Sequence, residues 1–287
     1  MDKIVLITGT STGIGKACAL YMDQLGFTVY AGVRRSDDGT AMKKQASERL
    51  KIIIVDVTDE HAIANAVKQI QTEHGRLDAL INNAGIGIGG PLELMDTKVI
   101  QGVFNVNVVG LLAVTKAFLP LLRSSKGRII NIGSSAGYLA FPGACAYCGS
   151  KFAVRAITDA LRLEFKHFGI KVILVSPGAV ESAIWDKGKA YKEDLRDKAD
   201  MEIGQRYDTL RRFGDSLYTD LKKIPAIEAA KVVAEALTSA HPKRYYVVGK
   251  DAKGARKVSY LPAALLDWII LRGINKFSQH EEVINME

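Results

Sequence analysis

Tyr147 and Lys151, spaced Tyr-x-x-x-Lys in Tyr147-Cys148-Gly149-Ser150-Lys151, are a pair of residue types that could do chemistry at that spacing. Residues four apart share one face of a helix. An ammonium held beside a phenol stabilises the phenolate, which brings proton transfer at the phenol oxygen towards neutral pH. The same spacing also occurs in ordinary surface pairs, so its meaning depends on its company. A second chemistry stands at the other end of the chain, in Thr8-Gly9-Thr10-Ser11-Thr12-Gly13-Ile14-Gly15. Glycines at 9, 13 and 15 permit a tight turn, a close approach of backbone to a pyrophosphate, and close packing of the following helix on the preceding strand. The turn lies between an apolar run, Ile4 to Thr8, and the helix-forming Lys16 to Leu20, which is the context a dinucleotide site requires.

The end of the next apolar run tests which dinucleotide. Units specific for NAD place an acidic residue about 20 positions on, against the ribose 2′-hydroxyl. Here the sequence reads Gly32-Val33-Arg34-Arg35, so a guanidinium stands where a 2′-phosphate could accept a bidentate contact. NADP(H) is therefore the expected cofactor and NAD(H) the alternative. Asp37 and Asp38 come late and read as turn residues. Val55-Asp56-Val57 offers Asp56 to an adenine amino group, and Asn82-Asn83-Ala84-Gly85 gives a turn of small residues along which a cofactor could lie.

These residues need a scaffold, and the first 180 residues alternate short β-branched runs with helical patterns, the signature of repeated βαβ units. Strands are expected at Ile4–Thr8, Thr28–Val33, Ile52–Asp56, Ala79–Asn82, Arg128–Ile132 and Lys171–Ser176, with a seventh at Tyr245–Val248. Nearly all are apolar throughout, as in strands covered by helices on both faces. The predicted fold is α/β, a Rossmann-type doubly wound parallel sheet of about seven strands in one domain spanning 1–250. Residues 183–224 are charged and helix-prone with scattered aromatics such as Trp185, Tyr191, Tyr207 and Phe213, and read as an inserted helical lid near the carboxyl ends of the strands. Residues 251–287 form a C-terminal helical extension. In it Leu261, Leu265, Trp268 and Ile269 share one face that would dock on the domain or on a second subunit. Its apolar stretch is too short for a bilayer span and contains Asp267, so peripheral membrane contact through this face and the nearby Lys253, Arg256, Lys257 and Arg272 is the lesser reading.

Composition narrows the class. A chain of 287 residues with 48% hydrophobic and 24% charged residues can bury a full core. Its net charge of +8 is spread among acids without a nucleic-acid-binding module, so no nucleic-acid partner is expected. Three cysteines are too few for a disulfide framework, and no secretion signal is visible at the start, so a reducing, cytoplasmic setting is expected. Cys145 and Cys148 are spaced Cys-x-x-Cys without a second pair or a nearby His, so no metal site is expected.

Taken in order, the motifs Thr8-Gly9-x-x-x-Gly13-x-Gly15, Asn82-Asn83-Ala84-Gly85, Asn107-Val108-Val109-Gly110, Ser134, Tyr147-x-x-x-Lys151 and Pro177-Gly178 resemble those of the short-chain dehydrogenases/reductases, over about 180 residues from Thr8 to Ser182. The C-terminal half looks loosely like the steroid and retinol dehydrogenase branch. The resemblance implies an NAD(P)(H)-dependent oxidoreductase in which Tyr147 exchanges a proton with the substrate oxygen and Ser134 hydrogen-bonds that oxygen. Lys151 tunes Tyr147 and holds the nicotinamide ribose, and Asn107 supports Lys151 through a water. Family spacing selects Ser134 over Ser135. Pro177-Gly178-Ala179-Val180-Glu181-Ser182 resembles the loop that meets the nicotinamide carboxamide, with Val180 donating from its backbone and Ser182 where Thr is common. Ser11, Thr12 and Ile14 of the glycine turn complete the expected cofactor contacts, together with Val57, Asn83, Ala84 and Gly85. A hydrophobic ketone, aldehyde or secondary alcohol of steroid, retinoid or other lipid type is the expected substrate, and a homodimer or homotetramer the expected assembly. The alternative on the same fold is a non-catalytic dinucleotide-binding or redox-sensing protein.

Overall fold

The computed structural model describes residues 3–198, 200–219 and 221–284. Seven strands, β1 (Ile4–Ile7), β2 (Thr28–Val33), β3 (Leu50–Ile54), β4 (Ala79–Asn82), β5 (Arg128–Ile132), β6 (Lys171–Pro177) and β7 (Tyr245–Val248), form one parallel sheet in the order β3-β2-β1-β4-β5-β6-β7. The helices α1 (Gly13–Gln24), α2 (Ser36–Lys43), α3 (Glu60–His74), α4 (Thr97–Phe104), α5 (Leu111–Ser125) and α6 (Cys145–Glu164) fall between the strands. Alternate strand residues face opposite layers, as the two-residue period of a strand requires. Val5 and Ile7 of β1 pack with Cys18 and Met22 of α1, whereas Leu6 packs with the layer that holds Ile63 of α3 and Phe118 of α5. Both faces are thus buried, which is why the strands read as uninterrupted apolar runs.

The chain reverses direction across the sheet between β1 and β4, and ligands of open α/β sheets bind beyond the strand ends at such a switch point. The sequence-predicted third strand begins two residues late. β3 starts at Leu50, because its pairing with β2 runs from Val29 opposite Leu50 to Val33 opposite Ile54. Lys51 fits inside the strand because its ammonium reaches the Glu73 carboxylate. Asp37 and Asp38 lie in the first turn of α2 and not in an open turn, with Asp38 paired to Arg35 at 3.3 Å. Carboxylates there complement the positive end of the helix dipole.

Between α4 and α5 the chain forms one π-helical turn, Asn105–Gly110, so that Thr97–Ser125 is helical throughout. This stretch is long and apolar enough to cross a bilayer by length and composition. Val103, Val114, Phe118, Leu121 and Leu122 are nevertheless buried in the domain, as expected of a core helix.

After β6 the chain leaves the sheet for α7 (Ile184–Lys198), α8 (Met201–Arg206) and α9 (Asp208–Thr219), and returns through α10 (Ala226–Thr238) to β7. The remaining helices are α11 (Lys250–Val258) and α12 (Ala263–Ile284). α11 packs on the short turn Ser135–Gly137, and α12 packs on α9, with Gly273 against Phe213 and the Phe213 and Phe277 rings 6.2 Å apart. The face expected to dock, Leu261, Leu265, Trp268 and Ile269, is exposed. The half-buried face is instead Leu266, Ile270, Gly273, Ile274 and Phe277, because α9 approaches on that side, where Gly273 lets it come close.

Candidate active site

Beyond the carboxyl ends of the strands lies a cavity of about 840 Å³. Its inner floor is built where the glycine turn and the turn after β4 are stitched together. Thr8 Oγ1 accepts from the backbone N–H groups of Asn83 (3.1 Å) and Ala84 (3.0 Å), while Asn83 Nδ2 donates to the carbonyls of Thr8 (2.9 Å) and Gly9 (2.8 Å). Three glycines are needed for this approach. Gly9 has φ +69° and a Cβ there would sit 2.7 Å from Ala84 Cα; Gly13 has φ +56° and lies against Ser182; a Cβ on Gly15 would overlap the Gly9 carbonyl. The N-terminus of α1 has no side-chain cap bond and no acidic residue in its first turn. Its N–H groups and positive dipole end are therefore directed at the cavity without an anion of their own, which fits a pyrophosphate.

Gly9, Ser11, Thr12, Ile14 and Gly15 line this cavity with Arg34, Asp56, Val57, Asn83, Ala84 and Gly85. Arg34 is exposed at its edge, whereas Asp37 and Asp38 are not among the lining residues. One Asp56 oxygen accepts from the Thr58 N–H (2.9 Å) and hydroxyl (2.7 Å), which fixes the carboxylate at the rim.

The other half of the cavity holds Ser134, Ser135, Tyr147 and Lys151. Tyr147 and Lys151 lie on α6 as the spacing predicts, with Lys151 Nζ 5.9 Å from the centre of the Tyr147 ring. Lys151 is 7% exposed and donates to the Ile132 carbonyl at 3.0 Å. Burial pushes its pKa down from 10.5 to about 8. Ser134 caps the Ser135–Gly137 turn, its hydroxyl accepting from the Ala136 N–H at 3.1 Å. Asn107 and Gly13 do not line the cavity. Asn107 sits in the π-turn and is 2% exposed. It accepts from the Ile86 N–H (2.8 Å) and donates to the Ile86 carbonyl (3.0 Å) and the Ser150 hydroxyl (2.9 Å). A Cβ placed on Gly85 would stand 3.2 Å from Asn107 Oδ1 and 3.8 Å from Lys151 Nζ, so Asn107 and Lys151 flank the same glycine. π-Helical turns often lie at functional sites.

Pro177, Gly178, Val180 and Ser182 line the same half. Val180 forms a parallel bridge with Ile224 through its neighbours, since Ile224 N–H bonds the Ala179 carbonyl and Glu181 N–H the Ile224 carbonyl, each at 3.0 Å. Parallel pairing of this pattern turns Val180's own N–H and C=O to the opposite side, where Trp185 Nε1 donates to the carbonyl at 2.7 Å. Asp251, the second residue of α11, accepts from the Ala179 N–H at 2.6 Å and fills the space beside Gly178. Sequence reasoning missed it: 72 residues separate it from its partner, and no local pattern marks a carboxylate that fixes a remote loop.

Lys151 gives a pH signature. Below pH 8 it is charged in both folded and unfolded chains. Between about 8 and 10.5 the folded protein has released its proton while the unfolded chain still holds one, so stability rises with pH across that window. In thermal unfolding of the cofactor-free protein from pH 7 to 10.5, Lys151→Met should lose this rise, and the difference from the parent should change progressively above pH 8. A constant difference would contradict it.

The arrangement combines a glycine-turn cradle with a hydroxyl, a phenol and a buried ammonium in one cavity. A model of the short chain dehydrogenase family matches residues 3–193. Bovine 17-beta-hydroxysteroid dehydrogenase type 6 is 36% identical over 292 residues, covering 97% of this chain and 90% of its own. Human retinol dehydrogenase 5 and human dehydrogenase/reductase SDR family member 9 are each 34% identical, covering 94% of this chain and 88% of their own. A short-chain dehydrogenase from Streptomyces avermitilis superposes with a TM-score of 0.76 at 27% identity, covering 99% of this chain and 98% of its own. ElxO with NADP bound superposes with a TM-score of 0.71 at 25% identity, covering 88% of this chain and 100% of its own. With an extended family match, full-length relatives and a site of this composition, the chain belongs to the short-chain dehydrogenases/reductases and is an NAD(P)-dependent oxidoreductase acting on CH–OH and C=O groups.

Proposed function

We propose that this enzyme interconverts a lipid-like secondary alcohol or carbonyl compound and its redox partner, with Tyr147 as the acid/base, Ser134 as a second donor to the reacting oxygen, and Lys151 holding the phenolate and the nicotinamide ribose. The observation that carries this reading is the shared cavity. Ser134, Tyr147 and Lys151 open onto the same space as the glycine turn, and the wall on the other side is apolar, with Ile86, Ile88, Phe141, Ile184 and Leu195. When bound, the dinucleotide supplies the hydride donor or acceptor at its nicotinamide ring. Asn107 acts as a positioning residue, bracing the α6 end at Ser150 and the segment after Gly85. Asp251 and Trp185 hold the 177–182 loop so that Val180 faces the carboxamide. Residues 183–224 act as the lid, because α7, α8 and α9 supply the outer wall of the cavity.

NADP(H) is proposed over NAD(H). Arg34 is at the cavity edge, and Asp37 and Asp38 lie in the first turn of α2, outside the lining. Arg34→Ala should raise the dissociation constant for NADPH about 10- to 100-fold, as expected for a lost charge-assisted contact, and change that for NADH little; equal effects in titrations of the two would contradict the assignment. Val109 and Leu112 near the start of α5, and Phe152 and Leu163 on α6, are exposed apolar side chains of the kind a homo-oligomer would cover. Light scattering would test this. The buried Cys18 and Cys148 and the exposed Cys145 are free thiols, consistent with a reducing, cytoplasmic setting. The functional reading itself is tested by following NADPH and NADH absorbance against a panel of steroid and retinoid alcohols and carbonyls, with small polar sugars and hydroxy acids as controls. Turnover confined to the polar compounds would overturn it.

A further inference from the structure

The segment Cys145-Ala146-Tyr147-Cys148 carries a chemistry that hydride and proton transfer do not use. Two thiols spaced Cys-x-x-Cys bracket Tyr147 at the start of α6, and they differ in access. Cys145 is exposed, whereas Cys148 is 2% exposed and lines the cavity together with Tyr147. Cys18, the third cysteine, is a contrast. It lies in the core on α1, where burial pushes its thiol up to about 12.

Residues three apart on a helix have Cα atoms about 5 Å apart, inside the range of about 4.4–6.8 Å that a disulfide spans. Their Cβ atoms stand about 5–6 Å apart, and a disulfide needs about 3.5–4.5 Å, so closing a bridge draws the turn together by about 1–2 Å. The start of a helix is where such an adjustment costs least, because its first four N–H groups have no intrahelical partner to lose. Ala144, at the N-cap of α6, makes no side-chain cap bond that would oppose it. Burial raises the Cys148 thiol above its usual range, a backbone hydrogen bond at Phe141 opposes this, and Cys145 is close enough to add to the rise.

We propose that Cys145 and Cys148 are a redox modification site, which a low-molecular-weight disulfide such as oxidised glutathione converts to an intramolecular disulfide that displaces Tyr147 and slows turnover until a dithiol reopens it. The thiolate of Cys145 attacks the small disulfide, forming a mixed disulfide and releasing one small thiolate, which takes up a proton. Cys148 then gives its proton to solvent and its sulfur attacks Cys145 Sγ; the bond to the small molecule breaks and the second small thiol leaves. Two protein thiols are oxidised and one small disulfide is reduced to two thiols. Exposure makes Cys145 the first to react, and Cys148 needs to reach only Cys145, so its burial is no obstacle. A reducing setting keeps the pair open, and disulfides that form in such settings are usually transient and redox-sensing. The bridge is independent of what Tyr147 does, whereas its effect on turnover rests on the function proposed above. A shift of an ångström or more at the proton-transferring group should cost about 10- to 100-fold in kcat.

The test incubates the enzyme with oxidised glutathione, alkylates the remaining thiols in denaturant, and follows the mass of the peptide that carries both cysteines alongside turnover of the best substrate in the panel above. The parent should fall from three free thiols to one, with the peptide lighter by two hydrogens and kcat down about 10- to 100-fold, and dithiothreitol should restore all of these. Cys145→Ser should match the basal turnover of the parent and stay active through the treatment. Cys148→Ala should instead hold glutathione on Cys145, because no second thiol resolves the mixed disulfide. Three thiols remaining in the treated parent, a mixed disulfide persisting in it, or an unmodified Cys145 in Cys148→Ala would overturn the proposal. Equal inactivation of the parent and Cys145→Ser would overturn it too, as would a bridge that leaves turnover unchanged while Tyr147→Phe is inactive. A bridge without effect together with an active Tyr147→Phe would remove the acid/base reading of Tyr147 as well.

Discussion

Tyr147→Phe should bind dinucleotide as the parent does and lose roughly 10²- to 10⁴-fold in kcat, the range expected when the group that transfers a proton in the transition state is removed. The substitution is unusually clean here. The ring is partly buried on α6, a Cβ on Gly87 would lie only 3.6 Å from its Cε2, and Lys151 Nζ is 5.9 Å from its centre, so Phe keeps the packing and the cation–π contact while removing only the oxygen. Folding should survive, and so should the cradle at Gly9 to Gly15. Fluorescence titration with NADPH measures the first expectation, and turnover with saturating substrate the second. Lost affinity together with lost turnover would mean that the hydroxyl organises the cofactor site and is not itself the acid/base. Retained turnover would remove Tyr147 from the chemistry altogether.

Much of the fold was legible because it is written in local patterns. A strand buried on both faces must be apolar at every position, so the seven runs could be read as strands almost to their ends, and the glycine turn sits directly between a strand and a helix. β3 was misplaced because Lys51 interrupts its apolar run, and only the pairing with β2 and the Glu73 partner make a lysine acceptable there. The candidate site was legible for the same reason. Most of the residues singled out from the motifs line one cavity, and the two that do not, Gly13 and Asn107, lie directly behind it against Ser182 and Ile86. What the sequence did not disclose are relations between distant segments. Asp251 meets Ala179 across 72 residues, the π-turn at Asn105–Gly110 is a hydrogen-bond shift with no compositional mark, and the buried face of α12 depends on where α9 lies.

Gly15→Ala should be the most damaging substitution by a single carbon in the cofactor half. The residue has an ordinary helical backbone in the first turn of α1, where alanine is normally preferred, so no conformational argument disfavours it. The obstacle is space. The new Cβ would overlap the Gly9 carbonyl and the Asn83 amide, which are bonded to each other at 2.8 Å. Neither can retreat: Gly9 is held at φ +69° against Ala84, and the Asn83 amide also bonds the Thr8 carbonyl at 2.9 Å. The wedge therefore separates the glycine turn from the turn after β4, at a cost of about 1–3 kcal/mol of overpacking, and moves the N–H groups expected to meet the pyrophosphate. The measured outcome should be a loss of about 10- to 100-fold in affinity for NADPH and NADH alike, because the pyrophosphate is common to both. Gly102→Ala is the matching control. It too is a helical glycine, but a Cβ there meets nothing within 4 Å, so the helix should gain about 0.5–1 kcal/mol and dinucleotide affinity should not move. If the two variants bound cofactor equally well, the glycine turn would be a packing device and not the dinucleotide cradle.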